Sequence, residues 1–271
     1  MDKRPIGIFD SGVGGMTVLA EIRKHFPNED LIYLGDTKNF PYGDKSKETI
    51  IKMATKCAGF LISKDVKLII IACGTATSQA LEELRRIYKV PIIGIITPTI
   101  LNIKKNIDEA KQTTIGVIAT EGTIRSNKWQ EEIEEVITNV QVINKACPLL
   151  APMAEQGWTE NAVAKETIKE YMKPFKQKGI DKIILGCTHY PLFTQLIKEE
   201  LGENVEIINT GEQIANFLEE YLVETGLQNE KNNIGTCVYN LTDTQCNFIQ
   251  VAGNLMQDEG IGEKIEKIEI E

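Results

Sequence analysis

The chain has 271 residues, enough for two modest domains that each bury a core. Hydrophobic residues make up 42% and charged residues 25%, an ordinary globular balance, and the formal net charge of −9 argues against a nucleic-acid backbone as the main ligand. The start, MDKRPIGIFDSG, lacks signal-peptide architecture and no apolar run approaches membrane-spanning length, so the expectation is a cytoplasmic protein with neither nucleic-acid nor membrane partners.

Apolar runs and helical spacing alternate along the chain. Residues 5–9 predict a strand, followed by the turn Asp10-Ser11-Gly12-Val13-Gly14-Gly15 and a helix with Val18, Leu19, Ile22 and Phe26 on one face. A strand over 31–34, a helix over 47–63, a strand over 67–72, a helix over 77–88 and a strand over 91–95 complete the first half. A second series restarts at Thr114 and reaches Ile208, and the tail from Gly211 adds a helix, a strand over 234–240 and a helix from Asp243. Strands alternating with helices predict parallel βαβ units with both sheet faces covered.

The chain also repeats itself. Residues 66–73 align with 180–187 at an offset of 114, 6–12 with 115–121 at 109, and 90–95 with 205–210 at 115. A period this long predicts a duplicated domain and not a solenoid. The expected fold is α/β, with two pseudo-symmetric domains of mainly parallel sheet and the active site in the cleft between them. One domain is expected over residues 1–97 plus 211–271, since the tail has no counterpart in the second half, and the other over 98–210.

Ligands in open parallel sheets bind beyond the carboxyl ends of strands. That rule selects Asp10 and Ser11, Asp36 and Thr37, Cys73 to Thr75, Thr120 and Thr123, and Cys187 to His189. Six cysteines without an export signal read as thiols. Cys57, at helical spacing with Ile50, Ala54 and Leu61, reads as core; Cys237 and Cys246 read as packing; Cys147 lies in a loop with nothing to activate it. Cys73 and Cys187 stand apart, because each ends an apolar run and begins a polar one. No CxxC occurs and Cys-Thr-His lacks zinc spacing, so no metal is expected. The glycine-rich turn has neither P-loop lysine nor GxGxxG spacing and reads equally as a tight turn or a phosphate loop. Asp10 at a strand end is costly to bury unless it has a partner or a task. His189 can assist proton transfer at Cys187, whereas His25 sits among charges and reads as solvated. Pro41-Tyr42-Gly43 reads equally as a turn or a substrate loop.

The segments IGIFDSGVGGMTVL, YLGDTKNFPYGDKS, IIIACGTATS, IGVIATEGTI, ACPLLAPMAEQG and IILGCTHYPL, in this order, resemble the cofactor-independent aspartate/glutamate racemase family over nearly the whole chain. The resemblance implies a small-molecule substrate between two domains, interconversion of L- and D-glutamate for peptidoglycan synthesis, no cofactor, and a chain that could form a homodimer. It implies Cys73 and Cys187 as the acid/base pair, with Cys73 deprotonating D-glutamate and Cys187 L-glutamate. Asp10, Glu155 and His189 match the assisting groups. Ser11, Pro41, Tyr42, Gly43, Gly74, Thr75, Thr120, Thr123 and Thr188 stand at the substrate contacts, together with Asp10, Cys73, Cys187 and His189. The alternatives are a racemase of another amino acid such as aspartate, or a non-catalytic regulator that binds gyrase. Two positions depart from the pattern: Gly74 replaces an asparagine whose amide could hold substrate, and Thr97 replaces a glutamate.

The chemistry fits two thiols. Racemisation removes a proton from one face of the α-carbon and delivers another to the opposite face, which one base cannot do without turning the substrate over. A free cysteine titrates near pKa ~8.5, so thiol and thiolate are both within reach near neutrality.

Overall fold

One strand order is built twice. The computed structural model describes residues 2–229, 233–244, 246–256 and 260–270, without the side chains of 246–248 and 254. The first series runs β1 (Ile6–Asp10), α1 (Gly15–His25), β2 (Leu31–Gly35), α2 (Lys47–Ser63), β3 (Leu68–Ile71), α3 (Gly74–Ile87), β4 (Ile92–Gly94) and α4 (Ile96–Lys105). The second runs β5 (Thr113–Ala119), α5 (Glu121–Arg125), α6 (Lys128–Val136), β6 (Val140–Ala146), α7 (Leu150–Glu155), α8 (Ala162–Lys178), β7 (Lys182–Leu185), α9 (Thr194–Leu201), β8 (Glu206–Asn209) and α10 (Thr210–Glu224). The tail adds β9 (Cys237–Leu241), α11 (Cys246–Met256) and β10 (Ile265–Lys267). The first sheet is ordered β10-β9-β2-β1-β3-β4 and the second β6-β5-β7-β8, all parallel, so β2-β1-β3-β4 and β6-β5-β7-β8 are equivalent. The three repeats in the sequence are the pairs β1/β5, β3/β7 and β4/β8; the structure adds a fourth, β2/β6.

Every residue of β1 is buried, as expected of a central strand covered on both faces. Register then aligns the strand ends. Asp10 lies opposite Gly35, and Phe9 opposite Ile71, so Asp10 and Cys73 emerge side by side from the first sheet. In the second sheet Ile118 lies opposite Leu185, which brings Thr120 and Cys187 to the matching edge.

The helices that close each series cross over. α4 follows the first sheet but packs on α6 of the second, where Thr97 Oγ1 donates to Glu132 Oε2 at 2.8 Å. α10 follows the second sheet but packs on α1 of the first, and α4 and α10 pack on each other, with Asn102 Nδ2 donating to Gln213 O at 2.7 Å. His25 is not simply solvated, because its Nδ1 lies 2.9 Å from Glu219 Oε1 on α10. The tail returns to the first sheet, with Cys237 opposite Leu31, while α11 packs on both α1 and α7.

Some boundaries differ from the expectation. The strand expected from Ile234 begins at Cys237, and Ile234 is exposed. The helix expected from Asp243 begins at Cys246, because Asp243 is held by Thr37 Oγ1 and Lys267 Nζ. The expectation for the Cys246 side chain falls outside the described residues. α3 begins three residues earlier than its apolar spacing suggests, because Cys73 caps it. Among the described residues, no helix is long and apolar enough to cross a membrane.

Candidate active site

The two cysteines face the lobe boundary from equivalent strand ends, in different surroundings. Cys73 is the N-cap of α3: its Sγ accepts from Ala76 N at 3.4 Å and lies 3.7 Å from Ser11 Oγ. Burial, reinforced by the Asp10 charge, pushes this thiol up to about 12, against the opposing pull of the Ala76 amide. Cys187 has a cation instead. Its Sγ lies 3.8 Å from His189 Nδ1, and His189 Nε2 donates to Glu155 Oε1 at 2.7 Å. Burial disfavours charge on His189, but the hydrogen bonds to Cys187 and Glu155 prevail and raise the ring to about 10. This favours the charged ring, held between the Glu155 carboxylate and the Cys187 sulfur.

Each lobe completes the other's cluster. Glu155 Oε1 also accepts from Val13 N at 3.2 Å, an amide of the turn after β1. Asp10, fully buried, accepts from Gly12 N at 2.9 Å in its own lobe and from Thr188 Oγ1 at 3.1 Å across the boundary. Burial raises the Asp10 carboxyl above its ordinary value, with the His189 charge opposing. Thr17 Oγ1 donates to Thr188 O at 2.9 Å, and the Phe40 ring sits 5.5 Å from the His189 ring. The glycine-rich turn is thus a close-packing surface: a Cβ on Gly14 would come within 2.5 Å of His189 Nδ1 and Thr188 Oγ1.

The opposite side of the cleft is lined by hydroxyls. Thr75 Oγ1 lies 2.8 Å from Thr120 Oγ1 and 3.2 Å from Thr123 Oγ1, which joins the two lobes. Beside them Gly122 N donates to Gly43 O, and Gln79 Nε2 donates to Gly122 O, both at 3.0 Å. Pro41 follows a cis bond from Phe40. The Tyr42 side chain turns away: its hydroxyl donates to Asp36 Oδ2 at 2.6 Å beside Cys57, and its ring lies in the core against α2. Asp36 is fully buried and accepts from Asn39, Tyr42 and Thr242. Cys147 is buried in the second core, where burial raises its thiol.

Gly74 has a steric role. A Cβ there would lie well inside contact distance of the Gly186 carbonyl oxygen, so the residue after one cysteine meets the residue before the other. The position read as a missing amide is a point of close lobe approach. Asp10, Ser11, Cys73, Thr75, Thr123, Glu155, Cys187, Thr188 and His189 are all buried. Sequence reasoning missed Val13, Thr17, Phe40, Gln79 and Gly122, whose roles depend on partners in the other lobe. Among the described residues no group of three or more His, Cys, Asp or Glu could hold a metal ion.

The family model for Asp/Glu/Hydantoin racemase matches residues 16–218. A glutamate racemase of Geobacter metallireducens is 41% identical over 94% of each chain. The structure of glutamate racemase from Francisella tularensis subsp. tularensis SCHU S4 in complex with D-glutamate superposes with a TM-score of 0.88 at 36% identity, over 100% of this chain and 98% of that one. A glutamate racemase isoform of Bacillus anthracis gives a TM-score of 0.90 at 33% identity, over 99% and 98%.

Two measurements check this geometry. Gly74→Ala should raise the alkylation rates of Cys73 and Cys187 by about tenfold, the effect of a ~1.4 kcal/mol penalty on closure; unchanged rates would show that the lobes do not meet there. His189 gives the folded state a proton that the unfolded ring releases near pH ~6.5. Its stabilisation is complete below that pH and lost as pH rises through about 10. Urea unfolding should therefore show the stability gap between the native chain and His189→Gln shrinking across that window, by at most about 1.4 kcal/mol per pH unit. A constant gap would mean that the ring is not held charged.

Proposed function

The chain belongs to the Asp/Glu/hydantoin racemase family and is an amino-acid racemase; we propose that it interconverts L- and D-glutamate through Cys73 and Cys187, without metal or pyridoxal cofactor, and supplies D-glutamate for peptidoglycan in the cytoplasm. The observation that carries this reading is the placement of two buried thiols at equivalent strand ends on the two lobes. The bound D-glutamate named for the Francisella tularensis structure supports the substrate. The crossing of α4 and α10 supports a division into residues 1–97 with 211–271, and 98–210.

In this mechanism the substrate's α-carbon lies between the two sulfurs. Cys187, opposite the His189 imidazolium, removes the proton of L-glutamate as thiolate, while Cys73, whose thiol burial keeps protonated, delivers a proton to the other face. The reverse direction exchanges these roles and starts from the Cys73 thiolate. Negative charge that develops on the α-carboxylate is met by hydroxyls of Ser11, Thr75, Thr120, Thr123 and Thr188 and by the N-terminus of α3. Asp10 and Glu155 hold Thr188 and His189 in place, each through a direct hydrogen bond.

Circular dichroism with pure L- and pure D-glutamate, after dialysis against a chelator and with no cofactor added, tests the proposal. Both enantiomers should racemise, and Cys73→Ser and Cys187→Ser should each lose about 100-fold or more while remaining folded. Near-normal turnover in either variant, or activity that returns only with metal or pyridoxal phosphate, would overturn the two-thiol reading.

A further inference from the structure

Outside the catalytic cleft, the boundary between the lobes carries a pocket of about 420 Å³. That volume falls toward the lower end of the ~300–1,000 Å³ usual for small-molecule sites. Its cations come from both lobes. Lys45 and Lys47 flank Ser46, the N-cap of α2, and Arg125 ends α5. None of the three makes an ion pair among the described residues. No carboxylate lines the pocket, whose remaining wall is serine hydroxyls, Gln79 and Gly122. Asp44, Glu48 and Glu121 are sequence neighbours that do not line it; Glu48 turns back onto its own amide and onto Ser46, and these bonds, with a smaller contribution from the Lys47 charge, hold its carboxyl below the usual value.

A cationic pocket without acids runs against the charge of this chain, which is −9 overall and repels an anionic amino acid at long range. The α2 N-terminus adds positive potential of its own. Position gives the charge a purpose. The inner wall is the clasp in which Gly122 bonds to Gly43 and Gln79, and the next residue, Thr123, already belongs to the hydroxyl cluster with Thr75 and Thr120. One peptide separates the pocket from the catalytic cleft.

We infer that this pocket is an outer docking site for the anionic amino-acid substrate, whose carboxylates Lys45, Lys47 and Arg125 collect at the lobe boundary before it passes inward. The inference rests on the glutamate racemisation proposed above. It is tested with the full chain carrying Lys45→Gln, Lys47→Gln and Arg125→Gln together, all at surface positions. The control carries Lys169→Gln, Lys173→Gln and Lys176→Gln on α8, which makes the same change in net charge away from the pocket. Racemisation of L- and D-glutamate is measured across a KCl series. The docking site predicts a loss of about tenfold in kcat/KM at low salt for the pocket variant, carried by KM with kcat held, together with a flattened salt dependence. The control should follow the native chain. A pocket variant that matches the control in kcat/KM and in salt dependence overturns the docking site. A native chain that does not racemise glutamate overturns the proposed function, a distinct result.

Discussion

A carboxylate buried at a boundary between lobes must be met by donors, and Glu155 is met from both sides. His189 Nε2 reaches it within the second lobe and the Val13 amide reaches it from the first. Removing one partner from such a buried charge typically costs about 3–5 kcal/mol. The pair with His189 lies within one lobe, but the carboxylate gains its second donor, the Val13 amide, only where the lobes meet. Asp10 is subject to the same rule in reverse, since a first-lobe carboxylate takes its hydroxyl from Thr188 of the second. The hydrogen bonds that complete both carboxylates therefore depend on contact between the lobes, and the glycines of the turn after β1 leave the room that His189, Thr188 and Glu155 occupy.

The duplication makes the thiols equivalent in position but not in environment. Cys73 sits at a helix N-terminus, which favours a thiolate, yet burial and the Asp10 charge outweigh that effect and hold its proton. Cys187 lies three residues before a 3-10 turn over Tyr190–Phe193, whose N-cap is His189, and its sulfur lies beside the ring of that histidine. One thiol is held protonated and the other lies beside a histidine, an asymmetry that the proposed acid and base roles on opposite faces of one carbon would use.

Much of this was legible in the chain because the equivalent strands carry the same burden. β1 and β5, and β3 and β7, are central strands with long buried runs, so their sequences stay similar. β2 and β6 escaped notice for a physical reason. β2 lies inside a six-stranded sheet, covered by β9, whereas β6 is an edge strand with no fully buried residue, so one reads LIYLG and the other VQVINKA. The cysteines were legible because an apolar run stops at each. Asp36 and Tyr42 were not, since their partners Cys57 and Thr242 lie far along the chain. Gly74 looked like a lost substrate contact, because a glycine's clearance from a carbonyl in the other lobe leaves no trace in sequence.

The central claim is that two thiols act on opposite faces of one α-carbon. Proton NMR of the reaction of D-glutamate in deuterium oxide, followed from the first turnovers, tests it directly. The L-glutamate formed should carry deuterium at the α-carbon from the outset while the recovered D-glutamate keeps its proton. Recovered substrate that loses its proton as fast as product forms would mean one base working on both faces, and would contradict the account.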